Sequence, residues 1–204
     1  MSLPDLIQTV NQEERRKKDF LIESNVLSVS TKEGTCCINV PGRFGESYAL
    51  NDTARAQIAT RLEIPYRYAE KLRLEEPKLL DQNINTLFRR SNERRFIRTL
   101  GNSCRAVLSP SYRILDNYAF LGVVLPMLAQ MPDAKMIESY LTETHMHITF
   151  VLQSAQGYVK PGDPVRYGFM LANSEVGLGS LAVWSFIHRL VCSNGLVVPD
   201  FDGP

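Results

Sequence analysis

The spacing of hydrophobic and polar positions changes several times along this chain, and each change predicts an element. Apolar residues recur at helical spacing near the start and predict an amphipathic helix over residues 3–20. Two short runs with strand character, 25–31 and 35–40, predict two strands joined by a Lys-Glu-Gly turn. Helical spacing then returns and predicts a helical insert of three short helices over about 52–90.

The second half of the chain reads mainly as strands. ERRFIRTL and CRAVLS flank a Gly-Asn-Ser turn and predict a β-hairpin. An apolar helix is predicted up to Gln130, followed by strands near 135–142 and 144–153. The predicted fold class is therefore α+β, with an antiparallel sheet built from hairpins, a helical insert and an N-terminal helix. We expect two parts, the helix 1–20 and one α+β domain over 21–204.

Composition narrows the class of protein. The chain has 204 residues, of which 44% are hydrophobic and 22% charged, as in ordinary globular domains. The first residues lack the pattern of a secretory signal, and the longest apolar run, 118–131, is too short to span a bilayer. We therefore expect a cytoplasmic protein without membrane contact. The four cysteines form no C-x-x-C pair, so we predict reduced core residues.

Charge is distributed unevenly along the chain. Residues 89–113 hold seven arginines and a single acid, Glu93, although the net charge of the whole chain is only +1. The planar guanidinium group of arginine binds phosphate through two parallel hydrogen bonds and stays charged. The predicted nucleic-acid-binding residues are Arg89, Arg90, Arg94, Arg95, Arg98, Arg105 and Arg113. The alternative is a solvated sheet face whose arginines pair with acids elsewhere in the chain.

The hairpin turn sets which of these arginines share a face. A Gly-Asn-Ser loop would pair Leu100 with Cys104 and place Arg98 on a mostly apolar face. Arg95 and Arg105 would then lie together on the opposite, more polar face. We expect these two side chains to contact phosphate.

The segment AQIATRLEIPYRYAEKL resembles a helix-turn-helix. Ala59 occupies the small position of the first helix, and Ile64 occupies the apolar position after the turn. Arg67 would lie on the second helix, which enters the major groove in such motifs. Glu63 stands where glycine is usual, and a plain helical hairpin is the alternative interpretation.

Two further motifs suggest chemistry only weakly. His145 and His147 alternate on a predicted strand and could present two imidazoles to a metal ion, but no third ligand follows at a suitable spacing. Gly177 and Gly179 form a Gly-x-Gly that lacks the rest of a phosphate-binding pattern. We therefore predict no metal, no cofactor and no catalytic residues.

Several segments are similar to a phage- and plasmid-associated family catalogued as a domain of unknown function, the 932 family. The similar segments are NSEVGLGSL, RLVCSNG, RLEIPYRYAEKL, LLDQNINTLF and RAVLSPSYRILDN, which together span about residues 45–198. The resemblance implies a mobile genetic element, and hence DNA replication, recombination or conflict with host defences. It implies no catalytic residues.

The leading functional hypothesis is a phage- or plasmid-encoded DNA-binding protein. It would bind or anneal single-stranded DNA in recombination or replication, as a homo-oligomer with residues 3–20 in its subunit contacts. One alternative is a counter-defence protein that binds a host protein through its basic surface. A second alternative is a metal-dependent enzyme that uses His145 and His147.

Overall fold

The computed structural model describes residues 1–41, 46–158, 164–189 and 197–199. These residues form two compact units, which we name by their position in the sequence. The central unit is Arg15–Arg113, and the outer unit combines Met1–Glu14 with Ile114–Pro204. The sequence placed its only boundary at residue 20, whereas the structure divides the chain at 14/15 and at 113/114.

The central unit contains a six-stranded mixed sheet with the strand order β1-β5-β6-β4-β3-β2. Its strands are β1 Lys17–Glu23, β2 Ser28–Lys32, β3 Thr35–Val40, β4 Glu46–Leu50, β5 Arg94–Leu100 and β6 Ser103–Leu108. Neighbouring strands are antiparallel except β4 and β6, which pair in parallel. A short 3₁₀ helix, Ser24–Val26, links β1 to β2.

Three helices of the central unit, α2 Asp52–Arg61, α3 Tyr66–Glu75 and α4 Pro77–Arg90, form the predicted helical insert. Asn51 caps α2 by accepting a hydrogen bond from the backbone N–H of Ala54, and Pro77 fits the first turn of α4, where no N–H partner is needed. The inner faces of the helices are apolar and bury residues such as Ile58 and Leu72 against sheet residues such as Ile97. This burial fixes the helices on one face of the sheet.

The outer unit combines α1 Leu3–Glu14 and α5 Asn117–Ala129 with an antiparallel sheet. The sheet order is β11-β10-β9-β8-β7, with four long strands and a three-residue edge strand. The strands are β7 Ala134–Leu141, β8 Met146–Tyr158, β9 Pro164–Asn173, β10 Ala182–Arg189 and β11 Val197–Pro199. Leu6 and Val10 of α1 pack with Phe120 of α5 and Ile148 of β8 in the core of this unit.

The α+β class, the N-terminal helix and the helical insert are confirmed. The N-terminal helix is shorter than predicted, because it ends at Glu14 and β1 begins at Lys17. The charged residues that looked like the end of a helix belong to a strand, in which Phe20 and Ile22 face the core of the central unit. β4 was not predicted at all. No helix in the described ranges is both long and apolar enough to cross a membrane.

The apolar stripe of α1 is already occupied within its own unit. Leu6 and Val10 are buried, and Leu3 and Ile7 pack against the same core. The apolar stripe thus packs into the core of its own unit, and the contribution of residues 3–20 to subunit contacts stays a prediction.

The cysteines of the central unit are core residues, as the sequence predicted. Cys36 and Cys104 are buried, Cys37 is half-buried, and all three are free thiols. Burial raises the pKa of the Cys104 thiol to about 12, so this thiol stays protonated and unreactive at neutral pH. Cys192 and most of the RLVCSNG segment lie outside the described residues.

Candidate nucleic-acid interface

Arginines from three elements lie at one end of the six-stranded sheet. They come from the end of α2, the end of α4 and the start of β5, and we call them the arginine end: Arg61, Arg89, Arg90, Arg94 and Arg95. Basic side chains are favoured at the last turn of a helix, where the helix dipole is negative. The Nε atom of Arg61 donates to the carbonyl oxygen of Val107 on β6, 3.0 Å away, and so holds the end of α2 against the sheet.

Arg95 is the buried member of the arginine end. Only 4% of its surface is exposed. Its Nη1 atom lies 2.5 Å from Oε2 of Glu93, a side chain that is itself largely exposed. Its Nε atom is buried and has no hydrogen-bond partner within the described ranges. A buried guanidinium with an unsatisfied N–H is energetically costly, so a further acceptor that reached this group would stabilise it.

Arg61 lies close enough to Arg95 for the two charges to repel each other. Burial and then the positive charge of Arg95 lower the pKa of Arg61, while Glu93 acts in the opposite direction. Two guanidinium groups therefore share one exposed carboxylate. An additional anion between them would relieve both the repulsion and the unsatisfied N–H of Arg95.

The remaining members of the arginine end are exposed. Arg89 donates from Nη2 to the hydroxyl of Thr86, 3.3 Å away on the same helix. Arg94 is the register partner of Glu23 across the β1–β5 pair. Arg89 and Arg90 end α4 and Arg94 begins β5, so all three place solvent-accessible positive charge close to Arg95 along the chain.

Arg98 does not belong to a surface site. It is fully buried, and its Nε and Nη2 atoms donate to both carboxylate oxygens of Asp19 at 3.0–3.2 Å. Asp19 lies directly opposite Arg98 in the β1–β5 register. The prediction that Arg98 binds nucleic acid is therefore corrected, because its charge is used inside the protein.

Arg105 is also buried, with 7% of its surface exposed. Arg98 pairs with Ala106 as predicted, but Thr99 rather than Leu100 pairs with Cys104, because the register shifts between Arg98 and Thr99. A β-bulge of this kind cannot be read from alternation alone. The predicted polar face is wrong for a second reason, because Ile97 and Val107 of that face belong to the core and both Arg95 and Arg105 are buried.

Arg113 is exposed and ends the central unit. The neighbouring Tyr112 stacks on Phe96, with ring centroids 6.2 Å apart, and the guanidinium of Arg98 lies over the same phenylalanine ring. Neither its sequence position nor a described contact joins Arg113 to the arginine end.

Arg61 belongs to the arginine end but was not among the predicted residues. A basic residue at a predicted helix end is the signal that could have found it.

The two histidines of the HxH motif lie close together but do not complete a metal site. The rings of His145 and His147 are 5.7 Å apart, and His147 stacks on Tyr140 at 4.6 Å. The described parts of the chain contain no group of three or more His, Cys, Asp or Glu residues that could hold a metal ion. The enzyme hypothesis therefore gains no supporting geometry from these residues.

The Asn-Ser-Glu segment before the Gly-x-Gly motif has a structural role. Oε1 of Glu175 accepts a hydrogen bond from the backbone N–H of Asn117 at 2.6 Å, at the start of α5. The side-chain amide of Asn173 donates to the carbonyl oxygen of Leu115 and to Oδ1 of Asn117. A buried carboxylate of the chain itself thus sits at the positive end of α5, where an anion would otherwise bind.

Comparisons with models of known protein families, with curated proteins and with solved structures found no match in any of the three. The resemblance to a phage- and plasmid-associated family stays a prediction that rests on the segments quoted above. Two of those segments meet in the structure, because NSEVGLGSL contributes Asn173 and Glu175 to the start of the helix that follows RILDN.

Proposed function

We propose that this protein binds single-stranded DNA through the arginine end of its central unit. The observation that carries the proposal is the environment of Arg95. This guanidinium is buried beside Arg61, has one exposed carboxylate as its ion-pair partner, and keeps an unsatisfied Nε–H. A phosphate group supplies the negative charge and the acceptor oxygens that this arrangement lacks.

The exposed arginines extend this site along a polyanion. Arg89, Arg90 and Arg94 lie within a few residues of Arg95 in sequence and are accessible to solvent. Several arginines around one buried anchor are suited to binding successive phosphates of a backbone. Contacts of this kind give affinity without base readout, so we expect little sequence preference at this site.

A single strand fits this site better than a duplex. Arg95 is nearly inaccessible, so a phosphate must approach it closely to form two hydrogen bonds. A flexible single strand can bend a phosphate inwards, whereas the stiffness of a duplex makes such a local bend costly. This argument favours single-stranded DNA as the ligand of the arginine end.

The biological setting follows from the resemblance described above. We propose that the protein serves recombination or replication of a phage or plasmid in the cytoplasm of the host cell. The homo-oligomer also stays part of the proposal, although the apolar stripe of α1 packs within its own unit. The counter-defence alternative uses the same arginines on an acidic host protein, and a DNA-binding measurement separates the two.

The proposal is tested by removing two exposed arginines together. The variant R90Q/R94Q loses two positive charges, so the slope of log affinity against log salt should become shallower by about 1.4 for single strands, at roughly 0.7 per phosphate contact. Fluorescence anisotropy with a labelled single strand across a salt series gives this slope.

A matched control removes the same number of positive charges from another part of the surface. The variant K32Q/K135Q also removes two exposed positive charges, both of them outside the arginine end. Its slope should equal that of the wild type. Equal slopes for the wild type and R90Q/R94Q, with both proteins folded by circular dichroism, would remove the arginine end as the DNA site.

A further inference from the structure

The α2–α3 pair consists of two short helices joined by a tight turn, as in a helix-turn-helix motif. Residues 62–65 join the helices in a tight turn, in which the N–H of Ile64 donates to the carbonyl oxygen of Ala59 at 2.8 Å. Glu63 has φ +57°, the left-handed conformation that favours glycine. The turn geometry therefore fits the motif, although the usual residue is absent.

The inner side of this pair is packed as the motif requires. Ala59 is buried in the first helix, Ile64 packs against the core after the turn, and Ala69 and Leu72 are the buried residues of α3. Arg73 further fixes α3 by donating to the carbonyl oxygen of Gly34 in the β2–β3 turn. The second helix is thus held rigidly on the unit through its inner face.

The outer side of α3 carries side chains suited to DNA. Tyr66, Arg67, Tyr68 and Lys71 are all exposed within its first six residues. Arg67 makes no hydrogen bond or ion pair within the described ranges. Lys71 lies 3.7 Å from Glu75, and both side chains are more than 60% exposed, so this pair is weak and easily exchanged.

The negative charge of Glu70, in the middle of α3, is neutralised by two arginines of the central unit. Glu70 accepts hydrogen bonds from Arg55 at 2.8 Å and from Arg73 at 3.0 Å. Burial acts to raise the pKa of Glu70, but the hydrogen bonds and charges of these two arginines outweigh burial and lower it. The first half of α3 therefore presents net positive charge to solvent.

We propose that α3 is a recognition helix that reads the major groove of duplex DNA. In such motifs the first residues of the second helix contact base edges, and Arg67 stands in the first turn of α3. Arginine pairs with guanine through two hydrogen bonds, while the exposed tyrosines and Lys71 reach the neighbouring phosphates. The side chains proposed to read DNA differ from those of the arginine end, although Arg61 of the arginine end is the last residue of α2.

The test is a selection of binding sequences from a random duplex library with the full chain. We expect an enriched sequence motif that contains guanine. The wild type should bind this motif more tightly than a scrambled duplex, and R67A should reduce that preference about tenfold. K71A should weaken both duplexes equally. The control K78A removes an exposed lysine from the first turn of α4 and should leave the preference unchanged.

The outcomes separate this site from the arginine end. R90Q/R94Q should retain the duplex preference, and R67A should retain single-strand binding. No enriched sequence, or an enriched sequence whose preference survives R67A in a folded protein, would overturn the proposal. A preference that R67A abolishes would support it, even if the arginine end binds no DNA.

Discussion

At the scale of single residues, burial separates arginines that look alike in the sequence. Arg98 is fully buried because Asp19 stands opposite it on a strand whose existence the sequence did not suggest. Arg95 is also buried, but its ion-pair partner Glu93 is exposed and its Nε–H has no acceptor within the described ranges. Both residues were correctly placed on a hairpin strand, but only tertiary pairing decides whether a strand arginine serves the fold or a ligand.

His147 gives the outer unit a pH-dependent stability. Burial and then the charge of His145 lower its pKa, and Glu138 acts in the opposite direction. The unfolded chain therefore binds a proton more readily than the folded protein does. The contribution to stability is present above about pH 6.5, the ordinary histidine pKa, and is lost as the pH falls below it.

The corresponding prediction compares melting temperatures above and below this value. The wild type should lose melting temperature on acidification, and H147F, which retains a ring to stack on Tyr140, should lose less. Differential scanning calorimetry of both proteins measures the difference. Identical losses would show that His147 does not contribute to this pH dependence.

At the scale of elements, the sequence succeeds where apolar spacing and turn residues agree and fails where they do not. The helices of the insert and the β5–β6 hairpin were predicted because apolar positions and turn residues agree over many residues. β4 was missed because Glu46–Leu50 leads directly into a capped helix, whereas β2, equally short, is followed by a turn before β3. The misreading of β1 has a related cause, since a charged segment gives little alternation to recognise.

The turn between α2 and α3 yields a prediction about stability. A non-glycine residue in the left-handed region costs about 1–2 kcal/mol, which glycine avoids. Glycine gives back roughly 0.5–1 kcal/mol of this gain, because it loses more conformational freedom on folding. E63G should therefore raise the free energy of unfolding by about 0.5 kcal/mol. Urea denaturation measures this change.

The control for this substitution retains the Cβ atom and removes the charge. E63Q should have nearly the stability of the wild type, because Glu63 is exposed. A loss of stability in E63G would mean that the turn does not hold Glu63 in the left-handed conformation.

At the scale of the whole molecule, net charge says little about binding. The chain is nearly neutral, yet five of its sixteen arginines form the arginine end. The sequence predicted that a basic stretch matters and named four of the five residues of the arginine end. It did not predict Arg61, which comes from a helix about thirty residues earlier and joins the group only through the packing of α2 on β6.

The most direct test of the central claim is the affinity of R95K for a labelled single strand, measured by fluorescence anisotropy. Lysine keeps the positive charge but loses the planar pair of donors. Because a hydrogen bond to a charged group is worth roughly 1.5–3 kcal/mol, we expect about tenfold weaker binding with an unchanged salt slope. R113K, outside the arginine end, should bind as the wild type does. Equal affinity of a folded R95K and the wild type would contradict the proposed phosphate contact at Arg95.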